Sequence, residues 1–319
     1  MWQQAGRVSR VICLTTIGLL YGARAQAQWP LQLTEDPAEA AFVTEDLHNF
    51  LRASERLASE ADTLAVLQEE YLDKATAGLD AFAARYDLTA ERLREALRGE
   101  PAAYTALASK VLVLEEQSQT YRQAYSDLKR HIPGAVFPPT YFLVGAYRGI
   151  GSGSEVGTLV TIENQSEASL RSNVTTILVH EMVHMQQALA MGPEKYQAIY
   201  GPEKSLLALT IREGIAEYFA ALVTGRMTQE QARGFVLENE AALWERFTPE
   251  MLGTDDGDWM WATPEDPAQP PRVGYVMGAL ITQAYYENAD DKAEAIRDIL
   301  SVTDYPAFLE RSGYEPRTD

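Results

Sequence analysis

His180, Glu181 and His184 stand in the run HEMVH, within a stretch whose residues favour a helix. Four residues make about one helical turn, so both imidazoles leave the same face and can converge on one ion. Glu181 lies roughly 100° round the helix from His180 and about 60° from His184. It is off the line joining the two rings yet near enough to hold a water beside the ion. Two zinc ligands and a general base are what this H-E-x-x-H spacing suits.

A catalytic zinc site takes a third protein ligand and leaves a position for water. The run REGIAEYFA at 212–220 places Glu213 and Glu217 four apart on a helix of their own. Two helices meeting face to face would bring His180, His184 and Glu213 around one ion. Glu217, one turn on, would accept the remaining ring N–H of a ligand histidine, fixing its tautomer. Two such glutamates could equally mark a solvated helix face. Against that, Ile211, Ile215, Phe219 and Leu222 are apolar, and Gly214 adjoins Glu213. A glycine there costs about 1 kcal/mol relative to alanine and points to close approach of another backbone.

These residues need elements to hold them. Residues 36–131 are rich in Ala, Leu, Glu and Arg, with Leu47, Leu51, Leu57 and Leu64 marking an apolar stripe. Thr89 is a helix start and Gly99-Glu100-Pro101 a stop. Three or four helices packed as a bundle are expected here, with His48 and His131 as surface or packing residues. The composition changes at Ile132-Pro133-Gly134. Strands are expected at 141–144 and 157–162, joined by a mobile glycine-rich loop at 149–157. That loop lacks the Lys-Ser/Thr of a phosphate cradle. The motif helix runs over 174–190, capped by Ser172 or Asn173, and the Glu213 helix over 205–224. Thr228 and Gln231 read as a capping box. A loop over 249–272 carries Trp259 and Trp261, and helices follow at 273–287 and 291–301. The fold class is α+β, mostly α, with no internal repeat.

The formal charge of −19 and pI of about 4.7 argue against nucleic acid and anionic membrane surfaces as partners. Arg7 and Arg10, the short apolar run Val11–Leu20 and small-x-small sites near Ala25 and Ala27 read as a secretory signal over 1–27. The run is short for a membrane span, so none is expected after cleavage. Cys13, the only cysteine, lies in that segment, leaving His and carboxylate as ligands for zinc. An exported chain without disulfides suits a bacterial periplasm or secretion, and the sequons at Asn164 and Asn173 are then incidental. Three segments are expected: 1–27 signal, 28–135 helical, and 136–319 catalytic.

HEMVH followed by EGIAEY resembles the gluzincin zinc peptidases, whose third ligand is a glutamate on a later helix. With Tyr275-x-x-Gly278, the pattern looks like an uncharacterised bacterial group of predicted zinc-dependent proteases. The resemblance covers about 140–290 and is specific at the ligands. It implies a zincin-like domain with a small sheet and an active-site helix pair, Glu213 as ligand and Glu217 as the supporting acid. The stretch from His184 to Glu213 is longer than in thermolysin-like members, which implies an insertion around 191–204. The expected reaction is hydrolysis of a peptide or protein substrate, with Glu181 passing a proton from water to the leaving amine. The strand at 157–162 resembles the edge strand that holds an extended peptide. The alternatives are a zinc hydrolase of a small or cell-wall amide, and an exported protein whose metal site is not catalytic.

Overall fold

A computed structural model describes residues 33–148, 151–201 and 204–317. The expected signal segment lies outside the described residues. Strand β1 (Phe42–Val43) precedes seven helices, α1 (Glu45–Leu57), α2 (Thr63–Leu67), α3 (Ala77–Tyr86), α4 (Ala90–Gly99), α5 (Pro101–Thr105), α6 (Leu107–Glu116) and α7 (Ser118–His131). Strands β2 (Thr140–Leu143), β3 (Gly151–Ser154) and β4 (Gly157–Thr161) follow. The remainder is α8 (Glu167–Ser172), α9 (Val174–Met191), α10 (Pro193–Ala198), α11 (Leu206–Thr224), α12 (Glu230–Glu250), α13 (Val273–Asn288), α14 (Lys292–Leu300) and α15 (Tyr305–Ser312). The fold is α+β, mostly α, with one small mixed sheet. Among the described residues no helix is long and apolar enough to cross a membrane.

Local chemistry sets several boundaries. Thr89 accepts a hydrogen bond from the Arg92 N–H, and Ser205 from the Ala208 N–H, starting α4 and α11. Gly225, left-handed at φ 74°, ends α11. Other expectations fail. The N-terminal stretch makes more helices than expected, because it breaks at Asp87, Glu100, Ala106 and Gln117. The capping box at Thr228 does not form: Gln229 precedes α12 without a side-chain cap. Helix α12 runs through Pro249, so the loop expected from 249 begins after it. Asn173 precedes α9 without capping it, and α15 was not foreseen.

The sheet order is β1-β2-β4-β3, with β1, β2 and β4 parallel and β3 antiparallel to β4. This corrects two expectations. Part of the glycine-rich run is strand β3, paired Gly151 to Val160 and Gly153 to Thr158. The strand at 157–162 is internal, and the edges are β1 and β3, with β3 the edge beside α9. Glycine and serine disfavour strands, so tertiary contact overrides propensity here. A Cβ on Gly151 would lie 2.5 Å from the Glu181 carboxylate, and one on Gly153 would lie 3.0 Å from Met185 Sδ. Residues two apart in a strand, about 6.6 Å, match residues four apart in a helix, about 6 Å. The glycines thus let β3 run along α9 past Glu181.

Helices α9 and α11 are apolar on nearly every face and are buried accordingly. Gly214 behaves as its position suggested. A Cβ there would fall on the Gly278 backbone, and one on Gly278 on the Thr210 carbonyl, so α11 and α13 cross with backbones in contact. The buried apolar residues from Ala40 to Phe308 form one cluster. β1 brings the N-terminal stretch into the sheet, and the Tyr71 hydroxyl donates to the Val144 carbonyl at 2.8 Å.

Candidate metal centre

Helix α9 carries His180, Glu181 and His184; α11 carries Glu213 and Glu217. The packing of α9 on α11 brings His180, His184 and Glu213 together, all three buried. The His180 and His184 Nε2 atoms are 3.1 Å apart. Glu213 Oε2 lies 3.1 Å from His184 Nε2 and 3.4 Å from His180 Nε2.

What holds the far side of each ring decides what the near side offers. His184 Nδ1 is 2.8 Å from Gln187 Oε1, and the Gln187 amide donates to the Arg212 carbonyl at 3.1 Å. His180 Nδ1 faces Glu217 Oε1 at 3.3 Å, longer than an ordinary hydrogen bond. Glu217 is fully buried and is itself held by Thr228, whose N–H donates to Oε2 at 2.8 Å and whose hydroxyl donates to Oε1. Both Nδ1 positions therefore face acceptors, which places the ring protons there and turns the Nε2 lone pairs inward. Two lone pairs and a carboxylate oxygen meeting at 3.1–3.4 Å repel unless a cation or proton lies between them. Metal bonds of about 2.0–2.1 Å in a tetrahedron set ligand atoms about 3.3 Å apart. The triangle fits that spacing, so these residues could hold a metal ion.

The charges point the same way. Burial disfavours a charged His180 ring, but the neighbouring Glu213 and Glu217 carboxylates outweigh it and lift the pKa to about 10. Burial works against ionised Glu213 as well, yet the His184 and His180 rings hold it well below the ordinary carboxylate range. Such a field favours a cation at the centre. Burial raises Glu181, and the two imidazoles oppose that only in part. Among the described residues nothing hydrogen-bonds the Glu181 carboxylate.

Tyr275 lies beside His180, its ring nearly parallel at 10° with centroids 6.1 Å apart. Its hydroxyl accepts from Trp261 Nε1 at 2.9 Å, leaving its own proton to donate. Tyr218 packs on the Phe219 and Tyr286 rings. His48 is bound to Glu115 at 2.7 Å on the surface. Four contributors were not read from the sequence: Gln187, Thr228, Tyr200 and Arg212. The Tyr200 hydroxyl donates to Glu213 Oε1 at 2.9 Å. Gln187, three residues after His184 on the same helix face, was the only one with a readable spacing. Tyr200 comes from the connection between α9 and α11, whose path no local pattern reveals.

Comparison with protein-family models, curated proteins and solved structures finds no match to this chain.

Proposed function

We propose that this chain is a zinc-dependent metallopeptidase of the gluzincin type, exported to the periplasm or secreted. The observation that carries the reading is the inward-facing triangle of His180 Nε2, His184 Nε2 and Glu213 Oε2, with the Glu181 carboxylate, unclaimed among the described residues, between the two histidines on α9. His and carboxylate donors at this spacing suit zinc. Bound there, zinc would polarise the substrate carbonyl and lower the pKa of water to about 7.

The remaining roles belong to the chain. Glu181 takes a proton from the attacking water and returns it to the leaving amine. A carboxyl raised by burial is better matched to both steps than an ordinary glutamate. Glu217, gripped by Thr228, keeps the His180 ring turned. Tyr275 presents a hydroxyl proton to the developing oxyanion, with Trp261 fixing its oxygen. The edge strand β3, lying against Glu181, offers backbone groups to an extended peptide. Arg85 on α3 donates to the Gly153 carbonyl at 2.7 Å and steadies that strand.

The test is Glu181→Gln. The variant should keep stoichiometric zinc and lose peptide hydrolysis by about 10²–10⁴-fold, the usual worth of a general base. Hydrolysis at the wild-type rate would end the proposal.

A further inference from the structure

Arg212 is among the largest fully buried side chains, yet its Nε and Nη2 atoms have no hydrogen-bond partner among the described residues. Among those residues Nη1 alone finds one, the Tyr196 carbonyl at 3.4 Å. An unpaired edge of a buried guanidinium costs free energy, so some other demand must keep it there. The ring faces around it supply the explanation. The guanidinium carbon lies 3.2 Å from the Tyr196 ring centroid and 4.5 Å from that of Tyr200. Tyr196 and Tyr200 sit four apart in the segment that joins α9 to α11, and Arg212 directly precedes Glu213 in α11.

Tyr200 in turn reaches the centre. Its hydroxyl donates to Glu213 Oε1, while Glu213 Oε2 faces both histidines. A free carboxylate can present either one oxygen or both to a cation. Occupying Oε1 with a fixed donor removes the second choice. On the outer side the Tyr200 ring lies 6.4 Å from that of Trp261, which also holds the Tyr275 hydroxyl.

Resting on the zinc reading above, we propose that Tyr200 and Arg212 form a positioning clamp that makes Glu213 a single-oxygen ligand. Arg212 holds the Tyr200 ring by cation–π contact, and Tyr200 holds Oε1 away from the metal position. The connection between the ligand helices is therefore part of the centre. A centre so limited keeps room for water and substrate, whereas a carboxylate binding through both oxygens would fill it.

The experiment uses the full chain with Tyr200→Phe, which keeps the ring that Arg212 packs on and removes only the hydroxyl. Zinc affinity, measured by chelator competition, should fall about 10–100-fold, as for other partners of metal-ligating side chains. The cobalt-substituted variant should show weaker visible absorption than cobalt wild type, the sign of a higher coordination number. Arg212→Met should give the same cobalt spectrum if it folds; Tyr200→Phe decides the matter if it does not. Wild-type zinc affinity and an unchanged cobalt spectrum in Tyr200→Phe would overturn the clamp while leaving the hydrolase reading intact. A wild-type chain that binds neither metal would overturn both.

Discussion

Among the described residues, two of the places that bury a carboxylate do so in contrasting ways. At the candidate metal centre Glu213 and Glu217 meet mainly side chains: two imidazoles, the Tyr200 hydroxyl and the Thr228 hydroxyl, with the Thr228 N–H beside it. Just beyond the end of β4, Glu163 meets backbone. Its Oε1 accepts from the Gly145 and Tyr147 N–H groups, each at 2.8 Å, in a turn where Ala146 and Tyr147 are left-handed at φ 53° and 66°. Lys110 is close by, but its Nζ donates to the Glu163 carbonyl rather than the carboxylate. The difference teaches that a buried acid alone does not mark a site. At Glu163 one oxygen, Oε1, already has two proton donors and no second acceptor faces it, while Oε2 is buried without a partner among the described residues. At the centre, three acceptors face one another with their ring protons turned outward. The first arrangement fastens a turn; the second asks for a cation.

The sharpest way to break the comparison is to delete both acids. Glu213→Ala should take zinc from stoichiometric to none, read by metal analysis after desalting, because two histidines do not complete the site. Retention of stoichiometric zinc would place the third ligand elsewhere. Glu163→Ala should leave zinc untouched and cost stability instead. It strands the Gly145 and Tyr147 N–H groups, a loss on the order of 3 kcal/mol in denaturant unfolding. Zinc loss in a folded Glu163→Ala protein would erase the distinction between the two regions.

The two regions also differ in how readable they were. His180, His184, Glu213 and Glu217 follow helical spacing, and helical spacing survives in sequence because i and i+4 share a face whatever surrounds them. Gly214 was legible for a related reason: a glycine inside an apolar helix pays for itself only through close packing, here with Gly278. Strand β3 was not legible. Its Gly and Ser residues read as loop, and only the passage of α9 beneath them makes them a strand. Thr228 looked like a cap because Gln231 stood three residues on, but buried Glu217 competes for the same donors and wins. Tyr200 and Glu163 act across connections whose paths depend on tertiary packing. The α+β class was readable from composition and periodicity; which strand formed the edge was not.

The mildest change probes the protonation of the backbone-held acid. Burial raises the pKa of Glu163, against opposing hydrogen bonds from the backbone N–H groups. A carboxyl raised on folding gives its full share of stability below the ordinary value of about 4.3, and loses that share as pH climbs through the raised value. Glu163→Gln keeps an amide oxygen for the two N–H groups and carries no charge at any pH. The melting temperature of the variant relative to wild type should therefore rise between about pH 4 and pH 8, by less than either deletion costs. A difference that stays flat across that range would mean the turn at 145–147 pairs an ionised carboxylate well enough to cancel its burial. The contrast with Glu213 would then rest on geometry alone, since both acids would ionise freely and only one would face a shared point.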